Sequence, residues 1–247
     1  MNLCQADFFF FFKKNFFILL RCVSVYKYMN DLEKYFTSNN QRLIHKWNHY
    51  FEIYDKHFSR FRGREVNILE FGVSHGGSLQ MWKHYFGDKT TVWGVDIEPR
   101  CKTLEEDGIK IKIGDQADKT FLKTLKDEIP RIDILIDDGG HTMEQQINTF
   151  EVLYPAIDSS GVYLCEDLHT SYFQEYGGGY KNKNSFIEYS KNFIDQLNAF
   201  HSREKDFSVD NFTKSTHSLH FYDSVLVIEK RIIDQPPTHR QIGTPSF

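Results

Sequence analysis

The chain has 247 residues, and its 30 basic and 34 acidic residues give a formal net charge of −4. This balance excludes a protein that holds nucleic acid by bulk attraction to phosphates, and a mean hydropathy of −0.51 excludes a polytopic membrane protein. The 40% of hydrophobic residues suffices for a folded core, and the length fits one α/β domain with a helical attachment.

Residues 1–28 differ in character from the rest of the chain, because they contain the run FFFFFKKNFFILL. Lys13 and Lys14 interrupt this run, and its uninterrupted parts have about half of the ~20 residues that a bilayer span needs. A signal peptide would carry its lysines before the apolar residues rather than among them. We therefore expect Met29 to be the true start and residues 1–28 to be a non-native or disordered leader. A weak membrane anchor is the alternative.

Residues 29–63 are predicted to form a helical attachment to the main domain. Large apolar side chains recur at helical spacing across residues 39–58, namely Leu43, Trp47, Phe51, Tyr54 and Phe58. Gly63 ends the pattern. The spacing predicts one helix that packs its aromatic face on the main domain, and the alternative is a pocket wall or a subunit contact.

Residues 64–230 alternate strand patterns with helix patterns and form the predicted main domain. We expect strands at residues 66–71, 91–95, 110–113, 132–136, 161–165, 218–222 and 225–229, and helices at residues 78–86, 119–128, 145–154 and 185–201. The alternation predicts a mostly parallel, seven-stranded α/β sheet, and the short join between the last two strands makes the last one antiparallel. The glycine-rich residues 172–180 are a candidate lid, and residues 231–247 are an irregular tail.

The four cysteines lie far apart and form no CxxC pair: Cys4, Cys22, Cys101 and Cys165. This spacing matches neither a zinc knuckle nor a disulfide framework. Cys165 lies in an apolar run, so we expect a buried free thiol. The cysteine pattern favours a cytoplasmic protein.

The first predicted strand ends in a glycine-rich turn that runs into a helix, a common place for an anion or a cofactor. The candidate cofactor residues here are Glu70, Gly72, Gly76 and Ser78. The turn misses the GxGxxG pattern because Ser74 stands at the second glycine position. The Glu70 carboxylate would repel a pyrophosphate but could face a positively charged amino group. The turn therefore favours S-adenosylmethionine, and NAD is the alternative.

Polar side chains also follow the second and third predicted strands. Asp96 ends the second strand, where its carboxylate could accept hydrogen bonds from ribose hydroxyls. Asp115 and Gln116 follow the third strand and could address the edge of an adenine ring. Together with the glycine-rich turn, these residues predict a cofactor that carries a nucleoside.

The fourth and fifth predicted strands end in two acidic motifs, Asp137-Asp138-Gly139-Gly140-His141 and Glu166-Asp167-Leu168-His169. Adjacent strand ends would bring these carboxylates into one crevice, where a divalent cation relieves their repulsion. Oxygen ligands without thiolates favour Mg²⁺, Mn²⁺ or Ca²⁺ over zinc. Either motif alone could merely cap a helix or form a turn, but the two together predict a metal site.

Both acidic motifs, together with ILEFGVSHGGSL and HFYDSVLVIEK, resemble the macrocin and mycinamicin type of sugar O-methyltransferase over residues 64–230. The resemblance implies a Rossmann-like class I methyltransferase fold, S-adenosylmethionine and Mg²⁺ as cofactors, and a small-molecule sugar or glycoside as acceptor. It implies no nucleic acid or membrane partner, and it leaves a homo-oligomer open. In that family the positions that match Asp138, Glu166 and Asp167 hold magnesium, and the position of His141 is the general base. We assign Asp137 to the cofactor.

Two other functions remain open at this point. A metal-dependent hydroxylase of the cephalosporin hydroxylase-like type would need two histidines and one carboxylate, which His141, His169 and Asp138 could supply. A non-catalytic subunit that binds S-adenosylmethionine is the second alternative. Such a subunit has no use for a metal and a base together.

Overall fold

The fold was analysed in a computed structural model that describes residues 29–247, so the predicted leader and two of the cysteines lie outside the described residues. The strands are β1 (Asn67–Phe71), β2 (Thr91–Asp96), β3 (Ile109–Ile113), β4 (Ile132–Asp137), β5 (Ile157–Cys165), β6 (Thr216–Tyr222) and β7 (Val225–Lys230). They form one seven-stranded sheet in the order β3-β2-β1-β4-β5-β7-β6. Strands β1 to β5 pair in parallel, whereas β7 is antiparallel to both of its neighbours. The predicted sheet is thus confirmed.

Helices cover both faces of this sheet, as the alternation in the sequence predicts. They are α1 (Asp31–Ser38), α2 (Tyr50–Phe58), α3 (Gly77–Phe86), α4 (Lys119–Glu128), α5 (Met143–Leu153), α6 (Phe186–Leu197) and α7 (Asn211–Ser215). Short 3-10 helices lie at Ser59–Phe61, Pro99–Leu104, Tyr154–Ala156, Leu168–Tyr172, Gln174–Tyr176 and Ala199–His201. Within residues 29–247, none of the helices combines the length and the apolar character that crossing a bilayer requires.

Side-chain caps fix where several helices begin, and one of them positions an acidic motif. Thr142 caps α5, and its hydroxyl and backbone N–H form a reciprocal capping box with Gln145. Helix α5 therefore starts directly after His141, which has a positive φ of 57°. The cap holds the end of the β4 motif at a defined place on the carboxyl edge of the sheet.

The two faces of the sheet carry two apolar clusters, because neighbouring residues of a buried strand point to opposite sides. Ile68 belongs to one cluster and Leu69 to the other. Helix α2 packs on the first cluster, where the Tyr54 and Phe58 rings meet the Trp82 indole at centroid distances of 5.1 and 6.0 Å. The aromatic face of the attachment is therefore part of the main core, as one of the two interpretations of its spacing predicts.

The helix predicted over residues 39–58 is wrong in its first half, since α2 begins only at Tyr50. Leu43 and Trp47, which fit the helical spacing, are 62% and 54% exposed. Residues 42–46 instead run without regular structure against the start of α3, where a Cβ atom on Gly77 would overlap the carbonyl oxygens of Arg42 and Leu43. Close backbone packing has overridden the local helical pattern here.

Backbone hydrogen bonds hold the glycine-rich segment after β5 in a defined conformation. Its three glycine N–H groups donate to the carbonyls of Gln174, Phe173 and Ser171. These bonds follow the two 3-10 helices at Leu168–Tyr172 and Gln174–Tyr176. The segment is a hydrogen-bonded turn, and its role as a lid stays a prediction.

Candidate active site

A cavity of about 380 Å³ opens at the carboxyl edge of β1 to β4. Ligands bind at this edge in open α/β sheets, because the strand order reverses there and the loops diverge. Eight of the residues predicted for cofactor, metal or catalysis line the cavity: Gly72, Ser78, Asp96, Asp115, Gln116, Asp138, His141 and Asp167. Residues 43–46 of the attachment form a further part of its wall.

Gly72 brings the end of β1 against the end of β4. Its φ is +90°, and a Cβ atom built on it would overlap the carbonyl oxygen of Asp138. The glycine therefore serves the contact between the β1 turn and the acidic loop. Through this contact, the β1 turn and the acidic loop after β4 form one continuous stretch of the cavity wall.

Two of the predicted cofactor residues on the cavity wall, Asp96 and Asp115, also hold neighbouring turns. The Asp96 carboxylate accepts hydrogen bonds from the N–H groups of Ser74 and Glu98, both at 2.9 Å. Asp115 accepts from the N–H of Ala117 at 2.8 Å. Their carboxylates are thus fixed in place and keep free lone pairs for a ligand.

The side chain of Gln116 is occupied by the protein itself. Its amide nitrogen donates to Asp137 Oδ1 at 2.6 Å and to Thr149 Oγ1 at 3.0 Å. Its oxygen accepts from the N–H of Gly140 at 3.1 Å. Gln116 therefore links the β3 loop to the β4 loop. Both N–H groups of its side-chain amide already donate to protein atoms and are not available to an adenine ring.

Three other predicted cofactor residues do not reach the cavity wall. Glu70 is fully buried beneath it and accepts from Ser78 Oγ at 2.9 Å. Asp137 is also fully buried and is held by Gln116 and by Tyr163 OH at 3.3 Å. Burial raises the pKa of each of these two carboxyls to about 7. Gly76 precedes α3 with a φ of +76° and lies beside Arg42 and Leu104.

The two acidic motifs meet at the edge of the cavity through one oxygen of each aspartate. His141 Nε2 lies 3.4 Å from Asp167 Oδ2 and 3.8 Å from Asp138 Oδ1. One potential ligand atom from each of these three residues lies within 4.8 Å of the others. The three side chains are 17 to 22% exposed, so an ion could enter from the cavity. The predicted convergence of the β4 and β5 ends is therefore present for Asp138, His141 and Asp167.

Glu166 lies behind this cluster, where its carboxylate is bound by two residues of the attachment. Lys46 Nζ is 3.0 Å from both Glu166 oxygens, and Tyr54 OH donates to Oε1 at 2.7 Å. Glu166 is 1% exposed. Burial, and next the charge of Asp138, raise the pKa of Glu166 above its ordinary range, while Lys46 opposes the shift. Its role as a third magnesium ligand stays a prediction.

Lys46, Tyr50 and Tyr54 of the attachment all bind carboxylates of the acidic motif after β5. This polar role was not predicted from the sequence. Tyr50 OH donates to Asp167 Oδ1 at 2.7 Å and so fixes the oxygen that faces away from His141. The signal in the sequence is the spacing of four residues between them, with a hydroxyl or ammonium at each position. Of the three, only Tyr54 belongs to the apolar spacing across residues 39–58, because a tyrosine ring also fits a buried face.

His169, the second histidine of the hydroxylase alternative, takes no part in the cluster. Its Nδ1 lies 2.6 Å from Ser224 Oγ, and its ring meets the edge of Trp47. Among residues 29–247, the cluster at the cavity therefore holds one imidazole, not the two that a non-haem iron site needs.

A second group of potential ligands, His57, His220 and Glu229, lies between α2 and the last two strands. Both ring nitrogens of His57 already have partners, Glu229 at 2.7 Å and Tyr222 OH at 2.9 Å. Arg60 also pairs with Glu229. Because the ring nitrogens of His57 are satisfied and Arg60 already supplies a positive charge beside Glu229, this group is a structural polar network.

Curated relatives of the chain are O-methyltransferases. The chain is 34% identical over 191 residues to 8-demethyl-8-alpha-L-rhamnosyl tetracenomycin-C 2'-O-methyltransferase of Streptomyces olivaceus, covering 74% of this chain and 50% of that enzyme. It is 32% identical over 229 residues to demethylmacrocin O-methyltransferase of Streptomyces fradiae, covering 87% and 56%. The chain spans about half the length of these relatives, and no protein-family model matches it.

A solved structure shares the fold. The methyltransferase MycE from the mycinamycin biosynthetic pathway, in complex with Mg and SAH, aligns with a TM-score of 0.73 at 28% identity, covering 83% of this chain and 55% of MycE. MycE with Mg, SAH and mycinamycin VI aligns with the same score over 85% of this chain. The predicted Rossmann-like fold is thus confirmed.

Proposed function

Because the homologues of this chain are O-methyltransferases of the macrocin, mycinamicin and tetracenomycin-rhamnose type, we propose that it methylates a hydroxyl of a sugar or glycosylated small molecule. The methyl donor is S-adenosylmethionine, and the reaction depends on Mg²⁺. The observation that carries this proposal is the meeting of Asp138, Asp167 and His141 at the edge of the cavity. The related MycE structures hold Mg together with SAH, the product of S-adenosylmethionine.

The donor set of the cluster fits a hard divalent cation. Asp138 Oδ1 and Asp167 Oδ2 are carboxylate oxygens, the ligands that Mg²⁺ prefers, and both belong to partly exposed side chains at the cavity. Mg²⁺ keeps several waters and takes one or two carboxylates, so a site with two aspartates suffices to hold it. Asp138 and Asp167 would hold the ion, an acceptor hydroxyl would reach it from the cavity, and Glu166 is the predicted third ligand.

The rest of the cavity fits the nucleoside half of the cofactor. Asp96 is fixed by two backbone N–H groups and stands on the wall, where it can accept the ribose hydroxyls. Asp115 stands on the wall beside it and can accept from an adenine amino group. The methionine end would then reach toward Gly72 and the acidic cluster, since Gly72 joins the two parts of the wall.

When bound, S-adenosylmethionine supplies an electrophilic methyl group, and a divalent cation lowers the pKa of a hydroxyl that coordinates it. His141 takes the proton of that hydroxyl at Nε2. This nitrogen lies 3.4 Å or more from both aspartates, so its lone pair is not committed to a short hydrogen bond. Thr170 Oγ1 donates to the His141 carbonyl at 3.0 Å and holds the backbone at its positive φ.

The proposal also covers the cellular location of the enzyme, the class of its acceptor and its oligomeric state. Cys101 and Cys165 are free and buried, which supports a reducing compartment and the predicted cytoplasmic location. The acceptor is a small molecule, as the names of the relatives indicate for those enzymes. A homo-oligomer stays a prediction.

Calorimetric titration with S-adenosylmethionine, combined with a methyl-transfer assay on rhamnosides and deoxyhexosides, tests the function. We expect cofactor binding without metal, and methyl transfer only when Mg²⁺ is present. Asp138→Asn should abolish transfer and leave the Kd for the cofactor nearly unchanged. Methyl transfer that survives both chelation of the metal and Asp138→Asn would exclude the proposed mechanism.

A further inference from the structure

A lysine ammonium lies buried among three carboxylates behind the proposed metal site. The Lys46 side chain is 3% exposed, and Nζ lies 2.5 Å from Asp138 Oδ2, 3.0 Å from Glu166 and 3.6 Å from Glu70 Oε1. The three carboxyl groups within 3.6 Å favour the ammonium form of this side chain, which supplies a positive charge inside the acidic cluster.

The oxygens of the two cluster aspartates divide between a rear side and a front side. Asp138 uses Oδ2 for Lys46, and Asp167 uses Oδ1 for Tyr50. Their other oxygens, Asp138 Oδ1 and Asp167 Oδ2, face His141 Nε2. The ammonium of Lys46 thus occupies the rear, and the two oxygens at the front are available to an exchangeable cation.

We propose that Lys46 is a built-in cation that weakens divalent-ion binding at the front and keeps the metal-free site stable. The inference rests on the proposed function, because it concerns the same metal site. Two like charges that share Asp138 repel each other, and the ammonium also draws Glu166 away from the front. Without Lys46, three acidic side chains would lie buried or half-buried with no cation among them whenever the metal is absent.

The proposal makes Lys46 a positioning residue, which acts through its contacts with Asp138 and Glu166. A merely structural lysine would lower stability when removed and would leave the affinity for metal unchanged or weaker. If Lys46 is a built-in cation, its removal should instead raise the affinity for a divalent ion. Lys46→Met should lower the melting temperature of the metal-free protein and at the same time tighten the binding of a divalent ion.

The test is a calorimetric titration of the full chain with Mn²⁺, without cofactor or acceptor, beside thermal unfolding with and without Mn²⁺. We expect Lys46→Met to bind Mn²⁺ at least about tenfold more tightly than the original chain, because one nearby positive charge is gone. Mn²⁺ should raise the melting temperature of this variant more than that of the original chain. Lys46→Arg keeps the charge and should stay within about threefold of the original affinity.

Lys56→Met is the matched control, since it removes a lysine of α2 whose ammonium bonds Tyr222 away from the cluster. It should change neither the Kd for Mn²⁺ nor the response of the melting temperature. Should Lys46→Met fail to fold without metal, Lys46→Gln, which keeps a hydrogen-bond donor, is titrated in its place. An affinity equal to or weaker than that of the original chain would overturn the inference and leave the proposed function intact. Failure of both the original chain and Lys46→Met to bind Mn²⁺ would overturn both.

Discussion

The imidazole of His141 stands between two carboxylates without a short bond to either of them. Its distances of 3.4 and 3.8 Å leave room for an ion or a hydroxyl, and its Nδ1 is buried with no hydrogen-bond partner in the described structure. A structural histidine would have both ring nitrogens satisfied, as His57 has. The open coordination of His141 therefore fits a residue that exchanges a proton during turnover.

His141→Ala tests this role at the level of a single residue. We expect kcat to fall at least ~10²-fold, because a general base contributes that much or more. The cofactor Kd, measured by calorimetry, should stay within about twofold, since the Asp96 end of the cavity is unchanged. His239→Ala, in the exposed tail, is the control and should retain full activity. A loss in kcat below tenfold would assign the proton to another group.

At the scale of elements, the strands were predictable and the segment before α2 was not. Buried parallel strands are short apolar runs between turn signals, so β1 to β5 could be placed from sequence to within a few residues. Residues 42–46 lie in a stretch with helical spacing but form no helix, because their backbone packs against Gly77, a long-range contact that no local pattern shows. The missed role of Lys46 has the same cause, because its partners lie 92 and 120 residues away.

The candidate site was predictable in outline for a related reason. Strand ends of a parallel sheet meet at one edge, so the loops that carry Asp138, His141 and Asp167 could be expected to lie side by side. The sequence could not show which carboxylates turn inward. Glu70, Asp137 and Glu166 are buried. Lys46 lies beside Glu70 and Glu166, Tyr54 also binds Glu166, and Gln116 binds Asp137.

The contact between the β1 turn and the acidic loop can be tested with a matched pair of glycines. Gly72 and Gly63 both have a positive φ, +90° and +71°, but a Cβ atom on Gly63 meets nothing within 4 Å. Gly63→Ala should cost about 1 kcal/mol of unfolding free energy from backbone strain alone. Gly72→Ala should cost roughly 3 kcal/mol or more, because its Cβ also overlaps the Asp138 carbonyl. Equal losses in urea denaturation would mean that the loops do not touch.

At the scale of the whole molecule, the attachment and the sheet share one core and one site. Leu32 of α1 and four aromatic residues of α2 belong to the same apolar cluster as Ile68 and Ile134 of the sheet. Tyr50 and Tyr54 of the same helix donate hydrogen bonds to the acidic residues after β5. Residues 29–63 are therefore expected to fold and unfold together with the main domain, and not as a separate unit.

Phe58→Ala tests this cooperativity. Phe58 is fully buried, stacks on Tyr54 and meets Trp82 and Phe86 across the boundary between attachment and sheet. Its removal should cost about 3–5 kcal/mol, the range for a large aromatic side chain in a packed core. Tryptophan fluorescence and far-UV circular dichroism should report one shared transition, shifted to lower denaturant. Ile194→Ala, at a half-exposed position of α6, should cost less than about 1 kcal/mol. Two separate transitions in the variant, with the later one unshifted, would show that the attachment folds independently of the sheet and only rests against the acidic site.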